Sequence, residues 1–326
     1  MTIIRSLVRK ASKQQGPCKA YSLFWDGGFD LDITKSNLKL WGTPEITMRG
    51  WEPMSTTCTD NVEFIDAKFS SVGHDLEFDM VLCNDRFKQF DAAKKIASRL
   101  HVPVVFIDHM IPKDINPIDL AVLKEGARKG IVSIACHETI AKGWDSEFTI
   151  PYGVDIPEVD LDEPRIHNIV IHGSFQQLNP THRDLIARIT NDTDALLFGY
   201  NQDKSNPFTS WEQCSNTLKS AQVFINLSTS YTIPRGLLLA MAHGCAVITN
   251  NIAPLNSFLS NRNNCLVIEN LEDILPASQE LLKNNTLRYK LGQNARDTIQ
   301  EVFPMDAFVT NWTETLDSLR EVLYLP

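Results

Sequence analysis

A proline–arginine–glycine sequence, Pro234–Arg235–Gly236, stands at the predicted start of a helix and directly after a polar loop. The first amides of a helix have no partners within it, and the helix dipole places positive charge at the same end. Such an end suits a phosphate or pyrophosphate, and an arginine can add a bidentate contact. On spacing alone, however, the pattern fits any strand–helix–strand unit of a parallel sheet.

The neighbouring segments predict how this loop is positioned. Residues 223–227 form a short apolar run rich in β-branched side chains, typical of a buried parallel strand, and residues 245–249 predict a second one. Between them we place Pro234 at the first position of an apolar helix that Gly244 ends. The sequence therefore predicts a strand–loop–helix–strand unit with its polar loop at the helix N-terminus.

Three stretches of the sequence carry a resemblance to a known family. SYTIPRGLLLAMAHGCAVIT, residues 230–249, resembles the donor-site signature of GT-B glycosyltransferases, in which a Pro-Arg loop leads into a helix reading roughly L-L-E-A-M-A-x-G-x-P-V-V. IPYGVD, residues 150–155, resembles the I-P-N-G-V-D that ends the first GT-B domain, with Tyr152 in place of Asn. The G-S…R-x-L-I pattern that begins at Gly173 is similar to the CgeB-like branch and to short phage glycosyltransferases.

This resemblance implies an α/β fold of two Rossmann-like domains that face each other across a cleft. Residues 1–157 would form the acceptor-side domain and residues 158–326 the nucleotide-sugar domain, with a final helix returning to the first domain. The implied activity is metal-independent transfer of a hexosyl or pentosyl group from a nucleotide-diphosphate sugar, most simply a UDP-sugar. No cofactor is implied, because the nucleotide sugar is itself the donor substrate.

The resemblance also assigns candidate residues. Asp26, after the first predicted strand, is a candidate base toward an acceptor hydroxyl, and His109, at the carboxyl end of another strand, is a candidate to face the sugar. A lone histidine is as often structural. The candidate donor contacts are Gly27, Gly28, Gly173, Ser174, Arg183, Tyr200, Ser228, Thr229, Ser230, Tyr231, Pro234, Arg235, Gly236 and Leu237.

One departure from the family pattern keeps other functions open. Retaining members carry a Glu-x(7)-Glu pair, but the helix position is Leu239 here and the loop from Tyr231 to Ile233 has no Glu. The residues that hold the ribose, and the stereochemical course, are therefore open. A non-catalytic descendant and a sugar-nucleotide epimerase remain as alternatives.

A metal reading of Asp30-Leu31-Asp32 is less favoured. The same D-x-D spacing recurs at residues 160–162 and 192–194, so it arises easily in a chain with 40 acidic residues. The His and Cys residues show no zinc spacing. We therefore predict no metal site.

Composition limits the partners and the compartment. The chain has 326 residues, 43% of them hydrophobic, and a net charge of −9, which indicates a globular protein and argues against non-specific nucleic-acid binding. Its seven scattered cysteines, without a C-x-x-C, predict a reducing, cytoplasmic setting (the host cytoplasm if the protein is viral). Neither a signal peptide nor a membrane span is expected.

The acceptor and the oligomeric state stay open. Glycans, proteins and small molecules are all possible acceptors, and the phage-like pattern makes a hydroxylated DNA base a minority alternative. A basic lining of Arg86, Lys88, Lys94 and Lys95 could then contact phosphates, although these residues are more simply a solvated helix face.

Periodicity predicts the remaining elements. We expect strands at residues 19–25, 78–83, 102–107, 131–135, 167–172, 195–199 and 265–269. Helices are expected at residues 86–100, 117–128, 137–144, 181–189, 271–283, 287–302 and 306–324.

Overall fold

A computed structural model describes residues 16–24, 27–42, 61–64, 77–113, 115–128, 132–161, 163–172, 180–193, 195–198, 211–227, 231–251 and 253–323. They divide into two compact units, Met1–Gly153 with Met305–Pro326, and Val154–Pro304. The division thus falls a few residues before the predicted boundary at residue 157, and the final helix groups with the first unit.

Strands and helices alternate along the described chain. The strands are β1 (Cys18–Leu23), β2 (Leu38–Gly42), β3 (Val62–Phe64), β4 (Met80–Cys83), β5 (Val104–Asp108), β6 (Val132–Ala135), β7 (Phe148–Thr149), β8 (His167–His172), β9 (Leu196–Phe198), β10 (Ala221–Asn226), β11 (Ala246–Asn250) and β12 (Leu266–Ile268). The helices are α1 (Gly27–Ile33), α2 (Arg86–Leu100), α3 (Pro117–Arg128), α4 (Glu138–Trp144), α5 (Pro180–Thr193), α6 (Trp211–Lys219), α7 (Arg235–Ala242), α8 (Ile274–Lys283), α9 (Asn285–Val302) and α10 (Met305–Leu323). Two 3₁₀ turns, Leu255–Ser257 and Leu271–Asp273, complete the described elements.

The first unit is built on a parallel sheet in the order β3-β2-β1-β4-β5-β6-β7. Its central strands are buried and mostly apolar because helices cover such a sheet on both faces. One core cluster joins β1, β4 and β5 to the buried side of α2, where Ala93, Ile96 and Ala97 lie. The Asp85 carboxylate begins α2 by accepting from the amide of Phe87 at 2.9 Å, and His101 ends it in the left-handed region, with φ 57°.

The second unit is a smaller parallel sheet in the order β12-β11-β10-β8-β9. Its core consists of isoleucine, valine and alanine side chains of β8, β10 and β11, packed against Ile274 and Leu281 of α8 and Leu291 of α9. The carboxyl ends of β8, β10 and β11 lie side by side, since Asn226 pairs with both His172 and Thr249.

Most predicted elements are confirmed, and the differences lie at element ends and in short helices. The helix after Pro234 begins at Arg235, so Pro234 is its N-cap and not its first residue. Gly27 and Gly28, named above as candidate donor contacts, lie in the first turn of α1, a helix that the sequence did not predict. Helix α6 and strand β7 were not predicted, and β2 and β3 lie in residues 38–69, where we expected only short strands and loops of no assigned bounds.

Among the described residues, no helix is both long enough and apolar enough to cross a membrane.

Candidate functional site

The N-terminal end of α7 is the first candidate site, and its geometry is set by Pro234. This N-cap residue has φ −67° and ψ 123°, and no side chain caps the helix there. Its carbonyl accepts from the amides of Leu237 at 3.0 Å and Leu238 at 3.3 Å. The amide of Leu237 is therefore hydrogen-bonded within the protein. Within the described part of the chain, the amide of Gly236 has no hydrogen-bond partner.

Two arginines hold the opposite end of α7. Arg296 of α9 donates to the carbonyl of Ala242 at 2.8 Å and to that of Pro157 at 2.6 Å. Arg165 donates to the carbonyl of His243 at 2.8 Å. Positive charge at a helix C-terminus interacts favourably with the dipole, so these contacts fix the position of α7 and leave its N-terminus facing the loop after β10.

A third contact joins α7 to α6. The ring of His243 lies 2.7 Å from the carbonyl of Leu239 through Nδ1 and 2.8 Å from the hydroxyl of Ser215 through Nε2. Burial lowers the pKa of His243, and the Leu239 carbonyl opposes the shift. Burial raises the pKa of the Cys214 thiol on α6 to about 12, and the positive charge of nearby Arg235 opposes this rise.

Polar side chains end the central strands of the second unit. Asn226, the last residue of β10, donates from Nδ2 to the hydroxyl of Thr249 on β11 at 3.1 Å, and both residues are fully buried. This pair lies at the sheet edge from which the loop leading to α7 starts. Sequence reasoning missed it, although a polar residue ending an apolar strand is a signal that could have found it.

The corresponding edge of the first unit contains His109, which is only 1% exposed. Its Nδ1 lies 2.7 Å from the hydroxyl of Tyr152 and 3.3 Å from the thiol of Cys136, and its Nε2 lies 3.1 Å from Oδ1 of Asn84. The ring of Phe29 packs edge-on against it, with centroids 4.7 Å apart. Burial lowers the pKa of His109 to about 3, so the ring is uncharged at neutral pH.

Arg86 corrects the expectation of a solvated basic helix face. It is 2% exposed and makes a bidentate pair with Asp108, with both N–O distances 2.7 Å. Its guanidinium lies 4.8 Å from the ring centroids of Phe106 and Trp144. Burial raises the pKa of Asp108, although Arg86 and the Ser146 hydroxyl oppose that rise. Arg86 is a buried structural ion and cannot line a nucleic-acid groove.

The other predicted residues are placed as follows. Tyr231 and Thr232, just before α7, and Arg235, its first residue, are partly buried. Leu237 is fully buried, and Arg183 is exposed on α5. Asp30 and Asp32 lie on α1 and are buried, and the described residues contain no group of three His, Cys, Asp or Glu side chains that could hold a metal. Outside the described residues lie Asp26, Gly173, Ser174, Tyr200, Ser228, Thr229 and Ser230.

Comparison with known proteins extends these observations. Residues 162–313 match the family described as glycosyl transferase-like, whereas no curated protein sequence matches significantly. The structure of Anabaena HepE in complex with UDP and glucose is similar, with a TM-score of 0.67 at 15% identity, over 92% of this chain and 100% of that one. The chain has the GT-B fold.

Two further GT-B structures support the same architecture. Sucrose-phosphate synthase from Thermosynechococcus elongatus has a TM-score of 0.65 at 13% identity, over 94% of this chain and 100% of that one. Staphylococcus aureus TarM has a TM-score of 0.55 at 17% identity, over 73% of this chain and 54% of that one. The α/β fold predicted from the sequence is thus confirmed, whereas the narrower CgeB-like or phage-type branch stays a prediction.

Proposed function

We propose that this GT-B chain transfers a sugar from a nucleotide-diphosphate sugar, most simply a UDP-sugar, to a hydroxylated acceptor. The observation that carries the proposal is the match of residues 162–313 to the glycosyl transferase-like family, since that range includes β10, α7 and β11. The similar HepE structures are complexes with UDP-glucose or with UDP and glucose, which supports a UDP-linked donor.

The N-terminus of α7 is the proposed diphosphate site. Negative charge builds on the leaving diphosphate as the sugar–oxygen bond breaks, and fixed donors stabilise that charge most in the transition state. The Gly236 amide and the Arg235 guanidinium are the donors that we assign there, and the loop residues Ser228, Thr229 and Ser230 would complete the site. The arginines at the other end of α7 keep its N-terminus in place.

The first unit supplies the proposed acceptor side. Asp26 is our candidate base toward the acceptor hydroxyl, because it follows β1 in the sequence and parallel-sheet proteins bind ligands at the carboxyl ends of their strands. His109 lies at the same edge, but both of its ring nitrogens contact protein groups. We therefore assign proton transfer to Asp26 and not to His109.

A non-catalytic GT-B descendant is the second candidate, and Leu239 is the observation that favours it. This half-buried leucine occupies the helix position at which retaining members carry a glutamate. A binding protein would keep the α7 anion site and lack turnover.

A nucleotide-sugar panel tests the proposal. We expect slow release of free UDP from one donor without acceptor, and faster release with the correct acceptor. Arg235→Ala should lower kcat by about 10²-fold, the typical loss for one oxyanion-type donor. Arg188→Ala, an exposed arginine on α5, is the matched control and should leave kcat unchanged.

The other outcomes separate the alternatives. Binding of the donor without turnover would identify a non-catalytic protein, and interconversion of the sugars an epimerase. Equal losses of kcat in Arg235→Ala and Arg188→Ala would show that the N-terminus of α7 takes no part in catalysis. A hydroxylated DNA base is less favoured as acceptor because Arg86 is buried, and transfer to DNA should in any case fall steeply with added salt.

A further inference from the structure

Hydrogen bonds at the strand ends of the first unit determine which nitrogen of His109 carries its proton. Nδ2 of Asn84 lies 2.9 Å from the carbonyl of Leu23 and 3.3 Å from the hydroxyl of Ser22. A carbonyl only accepts, so the amide nitrogen of Asn84 must face Leu23 and its oxygen must face His109. Because that oxygen only accepts, Nε2 of His109 is the protonated nitrogen.

The Nδ1 nitrogen of the uncharged ring is consequently an acceptor. The hydroxyl of Tyr152 at 2.7 Å is within strong hydrogen-bond distance, and the thiol of Cys136 at 3.3 Å is a weaker donor. Tyr152 therefore donates to Nδ1. This donation stabilises the uncharged ring, since a protonated Nδ1 could no longer accept it.

The groups around the ring also favour its uncharged form. The groups that contact it include Phe29 from α1, Asn84 from the end of β4, Cys136 from the end of β6 and Tyr152. The titratable groups among them are the thiol and the phenol. The adjacent carboxylate of Asp108 is turned to Arg86 and Ser146 and is therefore not directed at the imidazole.

We propose that Tyr152 is a positioning residue that holds His109 as the uncharged Nε2–H tautomer, so that His109 orders the strand ends and exchanges no proton with a substrate. Tyr152 stands where the I-P-N-G-V-D motif has Asn, and its longer side chain reaches Nδ1. The kinetic consequences rest on the proposed sugar transfer, whereas the tautomer itself does not.

Nitrogen-15 NMR of the histidine-labelled full chain tests the tautomer directly. The His109 signals, assigned as those missing in His109→Gln, should show a protonated Nε2 and an unprotonated Nδ1 from pH 8 to pH 5. Tyr152→Phe should let the ring take up a proton at higher pH, whereas Cys136→Ala should keep the wild-type spectrum. A doubly protonated ring or an Nδ1–H tautomer in the wild type would overturn the proposal.

Kinetics test the positioning role. Tyr152→Phe should lower kcat about fivefold, the equivalent of one neutral hydrogen bond, and leave the donor KM unchanged. In this variant, the decline of activity with falling pH should begin at a higher pH than in the wild type. Cys136→Ala should keep the wild-type pH profile. A change in donor KM alone, or an unaltered pH profile in Tyr152→Phe, would contradict the role. If the wild type transfers no sugar, the proposed function fails, and the NMR spectrum still decides the tautomer.

Discussion

Arg86 and His109 show how burial changes the chemistry of single residues. From the sequence, both polar side chains were candidates to contact a ligand, but the structure buries both in the first unit. Arg86 is used for a bidentate pair with Asp108, and His109 accepts and donates within a neutral cluster. A buried ion pair contributes little net stability but becomes costly when one partner is removed.

Asp108→Asn should therefore destabilise the protein strongly. The variant leaves the Arg86 guanidinium buried without its carboxylate, and removing one partner of such a pair costs about 3–5 kcal/mol. Asp145→Asn is the matched control, since Asp145 pairs with Lys124 at the surface and an exposed pair is worth less than about 1 kcal/mol. Urea unfolding measures both free energies, and similar losses in the two variants would refute the argument.

The residue scale also marks a limit of sequence reasoning. The position of His109 after an apolar strand predicted correctly that it lies at a strand end. Its partners were beyond reach because Asn84, Cys136 and Tyr152 come from distant parts of the chain. Sequence spacing cannot tell an exposed base from a ring whose two nitrogens contact protein groups.

At the scale of the elements, α7 depends on close packing at its C-terminal end. Its last turn leads through Gly244, which has φ 69°, into β11. Helix α9 crosses this turn at Gly292, where a Cβ atom would lie 2.3 Å from the carbonyl oxygen of Gly244. Only glycine permits this approach of two backbones, and the approach also brings Arg296 of the same helix to the end of α7.

Gly292→Ala should consequently displace α7. The added methyl group meets backbone and cannot be accommodated by a side-chain rotation, so we expect a loss of about 1–3 kcal/mol and weaker donor binding. Gln300→Ala, on the exposed side of α9, controls for an alanine substitution elsewhere in the same helix and should be nearly neutral. Urea unfolding and donor titration provide the two readouts, and a neutral Gly292→Ala would show that the two helices are not in tight contact.

Sequence rules that act over a few residues predicted the bounds of α7 well, but they could not predict its contacts with distant residues. The apolar run, the proline and Gly244 indicated a strand, a helix start and a helix end, because each rule acts within a few residues. They could not show that Pro234 caps the helix from outside or that Arg165 and Arg296 hold its C-terminus. Those contacts connect residues far apart in sequence, so only the fold brings them together.

At the scale of the whole molecule, the two units differ in how the chain builds them. The second unit is continuous from Val154 to Pro304, whereas the first recruits α10 from the end of the chain. On α10, Trp312 is fully buried and Phe308 is 2% exposed, and both pack against Phe29 with centroids 6.3–6.4 Å away. The core of the first unit is therefore complete only after the second unit has been synthesised.

This arrangement predicts a loss of stability confined to one unit. Trp312→Ala leaves a large cavity beside Phe29, and such changes cost about 3–5 kcal/mol. Hydrogen exchange should then increase in β1, β4 and β5 and stay unchanged in β10 and β11, because local opening follows the contacts of each unit. Asn311→Ala, exposed on the same helix, should match the wild type. Equal increases in both sheets would contradict this prediction, because the cavity beside Phe29 would then loosen amides beyond the contacts of its own unit.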